Sequence, residues 1–159
     1  MATIRSTSLS DAMQQLLAKV DLSAREYQEL ADGYAQDARE IIYDRTKAGR
    51  GVSEMGGTAV SLRPLAPATV ARRERIKMHA STSPRTSNLT ETGQMLEDMQ
   101  AKKRGGFHLI GFRTSRSAKV AGFAHEGGRP FLFLAAAELK VLADKFRRRF
   151  AELVKRRLR

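Results

Sequence analysis

His79, His108 and His125 are the side chains of this 159-residue chain best suited to acid–base or metal chemistry near neutral pH. They lie in separate segments, and the chain has no cysteine to complete a metal site. His125-Glu126 opens like a zinc-protease motif, in which two histidines four residues apart share one helical face. Arg129 stands where the second histidine is required. Gly49-Arg50-Gly51 opens like a dinucleotide fingerprint, but Glu54 occupies the place of the third glycine. No Walker sequence and no Gly-x-Ser-x-Gly elbow occurs. Glu126 is the sole acid between Ala101 and Ala137, so a paired-carboxylate mechanism needs a distant partner. It reads instead as an ion-pair partner in a basic field. These patterns point away from catalysis, and from any metal or cofactor.

What remains is charge. Lys and Arg number 29 against 17 Asp and Glu, a net charge of +12. Residues 1–50 carry 7 basic and 8 acidic groups, and residues 51–100 carry 6 and 5, so these two stretches cancel. Residues 101–137 carry 7 against 1 and residues 138–159 carry 9 against 3, which places the whole excess in the last third. A field of that size favours nucleic acid, an acidic protein surface or an anionic membrane. Lys102, Lys103, Arg104, Arg113, Arg116 and Lys119 are expected to form a basic rim around a hairpin, with Arg129 as a further candidate for partner or DNA contact. A solvated basic face is the plain alternative.

The elements that must carry these side chains are helical at both ends. Ser23-Ala24-Arg25-Glu26 spells a capping box. Tyr27, Leu30, Ala31, Tyr34, Ala38, Ile41 and Ile42 follow at helical spacing, and the helix should fade near Lys47–Gly49. A shorter helix is expected from about Ser10 to Val20. Gly49 to Pro67 reads as a long loop, and Pro67 as the first turn of a helix reaching about Met78. Arg72, Arg73, Arg75 and Lys77 of that helix read as solvated. His79 to Leu89 is a second loop, and Thr90 to Gln100 a short helix burying Leu89, Met95, Leu96 and Met99.

After Ala101 the pattern shortens. Phe107–Phe112 and Lys119–Ala124 are expected to pair as antiparallel strands across a mobile Arg113–Ser117 connection. Gly127, Gly128, Arg129 and Pro130 should end the sheet, with Phe131 anchoring the corner. A final helix from near Leu134 buries Leu139, Leu142, Phe146, Phe150, Leu153 and Val154. Its Lys145, Arg147, Arg148, Lys155, Arg156 and Arg157 face solvent. The fold class is therefore α+β: one domain over 1–159, with a helical region at 1–48, loops and short helices at 49–100, and a hairpin plus helix at 101–159.

No uncharged run exceeds eight residues, too short to cross a bilayer, and Met1–Arg5 lacks the apolar stretch of a secretory signal.

Two segments are distinctive in order and composition. One runs from Pro64-Leu65-Ala66-Pro67-Ala68-Thr69 to Leu89-Thr90-Glu91-Thr92-Gly93-Gln94-Met95-Leu96. The other is Ala121-Gly122-Phe123-Ala124-His125-Glu126-Gly127-Gly128-Arg129-Pro130-Phe131-Leu132. Their order resembles the tail-completion and virion-morphogenesis proteins of tailed bacteriophages, and related head–tail joining proteins, over roughly Pro64 to Phe146. The chain departs from that pattern in placing Met95 and Leu96 after the Thr92-Gly93 pair, and one residue between His125 and the double glycine. The resemblance implies a structural virion protein at the head–tail junction, made in the host cytoplasm. It would act as a tail-completion, terminator or neck component. It implies a ring of identical subunits, a hexamer matching the tail tube, with neck and connector proteins as neighbours and non-specific contact with packaged DNA. Thr92, Gly93, Gly127, Gly128, Pro130 and Phe131 would be its structural motif. The competing reading is a stand-alone basic nucleic-acid-binding protein, which the charge alone supports.

Overall fold

The computed structural model describes residues 22–76, 84–89, 93–104 and 107–157. The helix expected at Ser10–Val20, Thr92, His79 and the middle of the second loop lie outside them. The elements are α1 (Ala24–Lys47), β1 (Arg50–Gly51), β2 (Val60–Ser61), α2 (Pro67–Arg75), α3 (Gln94–Glu97), β3 (Met99–Arg104), β4 (Phe107–Phe112), α4 (Ser115–Glu126) and α5 (Ala136–Arg157). Helices flank short antiparallel pairs, so the α+β class holds.

Helix α1 starts where the capping box placed it. Ser23 Oγ accepts from the Glu26 amide at 3.3 Å, and the Glu26 carboxylate accepts from the Ser23 amide at 2.9 Å. Leu30, Ala35, Ala38 and Ile42 form its buried stripe. Helix α5 lies along it and buries Leu142, Phe146 and Leu153. Phe146 meets Tyr34 edge-on at 6.3 Å, and Leu30, Phe146 and Leu153 make one apolar cluster at this end. A larger cluster gathers Ala38, Ile42, Met95, Leu96, Met99, Ala121, Phe131, Leu134 and Leu142.

The sheet differs from expectation. Phe107–Phe112 is a strand, but its partner is Met99–Arg104, paired from Met99↔Phe112 to Arg104↔Phe107. Lys119–Ala124 is helix instead, within α4. Two local forces decide this. The Thr114 hydroxyl accepts from the Ser117 amide at 3.2 Å, capping a new helix in the stretch read as a mobile connection. In addition, Ser117 and Ala121 are the buried positions, four residues apart, while Val120 and Phe123 point outward. The apolar run is thus half surface. The expected helix at Thr90–Gln100 shrinks to α3, since Met99 already belongs to β3. Alternation governs the hairpin: Met99, Ile110 and Phe112 pack on the core side, and Lys103 and His108 share that face toward α1.

The Gly49–Pro67 stretch is anchored, not open. Arg50–Gly51 pairs with Val60–Ser61, and Val52 is fully buried. The Val52 amide donates to Pro130 O at 3.1 Å, Gly56 N to Leu134 O at 2.8 Å, and Ala136 N to Gly57 O at 3.1 Å. Gly51 is required by this approach, because a Cβ there would stand 2.1 Å from Pro130 O. Pro67 does open α2, as expected. Arg73, read as solvated, is buried and donates to Thr86 O at 3.1 Å.

Candidate interaction surfaces

The residues expected to form one hairpin rim fall into separate places. Lys102 and Lys103 are exposed on β3, on opposite faces. Lys102 Nζ donates to Phe112 O at 3.1 Å, while Lys103 Nζ reaches Gln28 Oε1 of α1. Of Arg104 only the backbone, at the end of β3, is described. Arg116 and Lys119 lie on α4 rather than on a strand. Arg129 sits beyond α4, where its guanidinium donates to Arg63 O at 3.3 Å and Pro64 O at 3.4 Å. Glu126, expected to ion-pair, has no such partner among the described residues.

Arg113 leads into a polar knot that sequence reasoning missed. Asp98 is buried, and its carboxylate accepts from the Thr114 and Ser117 hydroxyls at 2.6 Å each and from Arg113 Nη2 at 2.9 Å. The Ser117 and Thr114 hydroxyls, then the guanidinium, hold the Asp98 carboxyl below the usual carboxylate range. This knot fixes the end of β4 and the cap of α4 to the turn after α3. The spacing of Thr114 and Ser117 could have suggested a cap, but nothing in it points to Asp98.

Much of the basic charge of α5 is also taken up inside the molecule. Buried Asp37 of α1 receives Arg149, 2.6 Å away, and Lys145, 3.3 Å away. Arg156 pairs with Glu29 at 3.0 Å. Arg157 grips Glu26 with two bonds of 2.7 and 2.6 Å. Lys145, Arg156 and Arg157, read as solvated, instead join Arg149 in clamping the two long helices. The balanced charge of α1 and the basic excess of α5 are therefore two halves of one contact.

The Glu26 carboxyl falls from the ordinary 4.5 to about 2, through the Ser23 hydroxyl and amide first and Arg157 next. A depressed acid contributes stability that is complete above its unfolded pKa and is lost as pH falls through the folded one. Glu26 should thus add an acid-dependent loss of stability between pH 4.5 and about 2. In urea unfolding followed across that range, Glu26→Gln should flatten the slope of stability against pH. An unchanged slope would show that this carboxyl is not held down.

His108 Nε2 lies 2.8 Å from Asp32 Oδ1, and Gln28 Nε2 donates to the same oxygen at 2.7 Å. His108 is the first cause of the lowered Asp32 pKa, followed by the bond from Gln28. His125 packs edge-on against Phe133 at 5.9 Å. Among the described residues no three His, Asp or Glu side chains are grouped to hold a metal ion. Likewise, no described helix is long and apolar enough to cross a membrane.

Of the motif residues that are described, Gly127, Gly128, Pro130 and Phe131 form one corner, while Gly93 opens α3. Gly93 takes φ 75° at the start of α3, and Gly128 takes φ 76° after α4, backbone states that a side chain would strain. Gly127 is the C-cap of α4 at φ −75°, with no such demand. Pro130 O receives the Val52 amide, and Phe131 is fully buried. The corner is held by Arg45, another residue without a sequence signal. Its Nη1 donates to Phe133 O at 2.8 Å and to Glu138 Oε2 at 2.6 Å, and its Nη2 donates to Phe131 O.

One helix face stays uncovered by the described residues. On α4, Arg116, Lys119, Val120 and Phe123 recur at i, i+3, i+4 and i+7, and all four are exposed, Phe123 by 70%. Neither cation has an ion-pair partner among the described residues. Comparison with family models, with curated proteins and with solved structures finds no match for this chain.

Proposed function

We propose that this chain is a structural virion protein of a tailed bacteriophage, placed at the head–tail junction as a tail-completion, terminator or neck component and acting by ring assembly. One observation carries the reading. The segments on which the resemblance rests are far apart in sequence yet touch in pairs: Arg129 donates to Arg63 O and Pro64 O, and Met95 and Leu96 share one core cluster with Ala121 and Phe131. A motif set that is spatially contiguous is what a shared architecture requires. The bare α4 face adds support, because an exposed Phe and Val between cations suits a protein neighbour.

The competing reading, a stand-alone nucleic-acid-binding protein, loses ground to the ion pairs. Lys145, Arg149, Arg156 and Arg157 are engaged by Asp37, Glu29 and Glu26, so the net +12 is unchanged but four of the basic groups in the last third are not free to meet phosphate.

The test is a clean deletion in the phage that encodes the chain. Filled heads and separate tails that fail to join, or tails of faulty length, are the expected result. Normal infectious particles would overturn the reading, as would a purified protein that is monomeric and absent from virions.

A further inference from the structure

We infer that the chain binds a second copy of itself head to tail, with the exposed face of α4 seated against the outer face of the C-terminal half of α1. The donor face is Arg116, Lys119, Val120 and Phe123. The acceptor face is Glu40, Tyr43, Asp44 and Lys47, which recur at the same i, i+3, i+4, i+7 spacing. Each face spans seven residues of rise, about 10 Å, so the two match in length.

Charge chooses the occupant. Glu40 and Asp44 are exposed, and neither has an ion-pair partner among the described residues; Glu40 only accepts from Gln36 at 3.1 Å. Both faces also carry charges at the wrong helix end. Arg116 stands in the first turn of α4, where the helix dipole is positive, and the one acid at that end, Asp98, is taken by Arg113 and the Thr114 and Ser117 hydroxyls. Asp44 stands in the last turn of α1, where the dipole is negative. Each placement is unfavourable within one molecule and becomes favourable when the two ends meet.

The apolar groups agree with this. Phe123 and Val120 gain nothing from a phosphate backbone, but Tyr43 is half-buried between Arg39 and Lys47, whose cationic groups lie 5.6 and 5.5 Å from its ring centre. Arg39 and Lys47 lie over the ring, so that turn offers their alkyl stems rather than the ring face beside the two acids. The two faces belong to different elements, and using a different patch on each copy makes the contact heterologous. A heterologous contact propagates around a ring or along a filament instead of stopping at a pair. The inference thus rests on the ring-assembly reading and supplies its interface.

The experiment is sedimentation velocity on the full chain over a range of concentration and salt, with folding checked by circular dichroism. Arg116→Glu with Lys119→Glu, and separately Glu40→Lys with Asp44→Lys, should each weaken self-association by about tenfold or more, since each sets like charges face to face. Combining all four substitutions in one chain should restore association, and so should mixing the two double variants. Folded variants that fail to recover would overturn the pairing. If the wild-type chain assembles and neither double variant changes its mass, this interface is wrong while the assembly reading stands. A wild-type chain that stays monomeric throughout overturns both. Loss of duplex DNA binding in Arg116→Glu with Lys119→Glu, with self-association intact, would assign the α4 face to nucleic acid and overturn the inference.

Discussion

Replacing Arg45 with alanine is expected to destabilise the protein by about 3–5 kcal/mol, because it removes one partner of a buried ion pair and strands the other. The guanidinium is buried, and burial, more than any neighbour, lowers its pKa, with Glu138 opposing that shift. Its three acceptors, Phe131 O, Phe133 O and Glu138 Oε2, all belong to the corner between α4 and α5. Glu138 also accepts from the Ala135 amide at 2.8 Å, at the start of α5. Removing Arg45 would therefore leave a buried and a part-buried carbonyl without this donor and a carboxylate without its cation. For a chain of this size the loss should lower Tm by roughly 6–20 °C. Arg45→Lys should recover only part of it, since an ammonium cannot hold the same fork of contacts. A change under about 1 kcal/mol in urea or thermal unfolding would show that the corner stands without this residue.

The two long helices were readable because each carries a long stripe at helical spacing, and α1 carries a capping box whose two bonds both form. The strand at Phe107–Phe112 was readable for a similar reason, as a short apolar run. Its partner was not. Met99-Gln100-Ala101-Lys102-Lys103-Arg104 has a single large apolar residue, and its place is set by pairing with β4 and by packing under α1 rather than by its own composition. Helix α4 failed in the opposite way. Its large apolar residues, Val120 and Phe123, are the exposed ones, and small Ser117 and Ala121 are buried where the backbone comes close to the core. Hydrophobicity alone therefore pointed to the wrong face and the wrong period.

The charged residues show the same limit. Sequence arithmetic located the basic excess in the last third, but it could not show that Asp37, Glu29 and Glu26 would lie alongside α5. Pairing across more than a hundred residues is a property of the packed helices. The Arg129-Pro130-Phe131 corner was legible only in part: Phe131 anchors it as expected, but the glycines and Pro130 follow helix α4 instead of ending a sheet, because Lys119–Ala124 is helical. The grip of Arg45 on that corner had no local signature.

Phe131→Ala should produce a loss of similar size, about 3–5 kcal/mol, through lost burial and the cavity left behind. Phe131 is fully buried, and its ring lies 6.5 Å from that of Phe112, so it ties the corner to the hairpin as well as to the α1–α5 core. The backbone of the corner is fixed by Val52 on one side and Arg45 on the other, which limits how far it can close over the space. The two substitutions should not add. Once the Phe131 side chain is gone, the corner can relax, and the carbonyls that Arg45 holds are no longer presented together. Removing Arg45 from Phe131→Ala should then cost less than removing it from the wild-type chain, by about 0.5–3 kcal/mol, the range found for residues that share a structural unit. Urea unfolding of the two single variants and the double variant measures this directly. Strict additivity would mean that the buried aromatic and the buried arginine support the fold independently, and the account of one shared corner would be wrong.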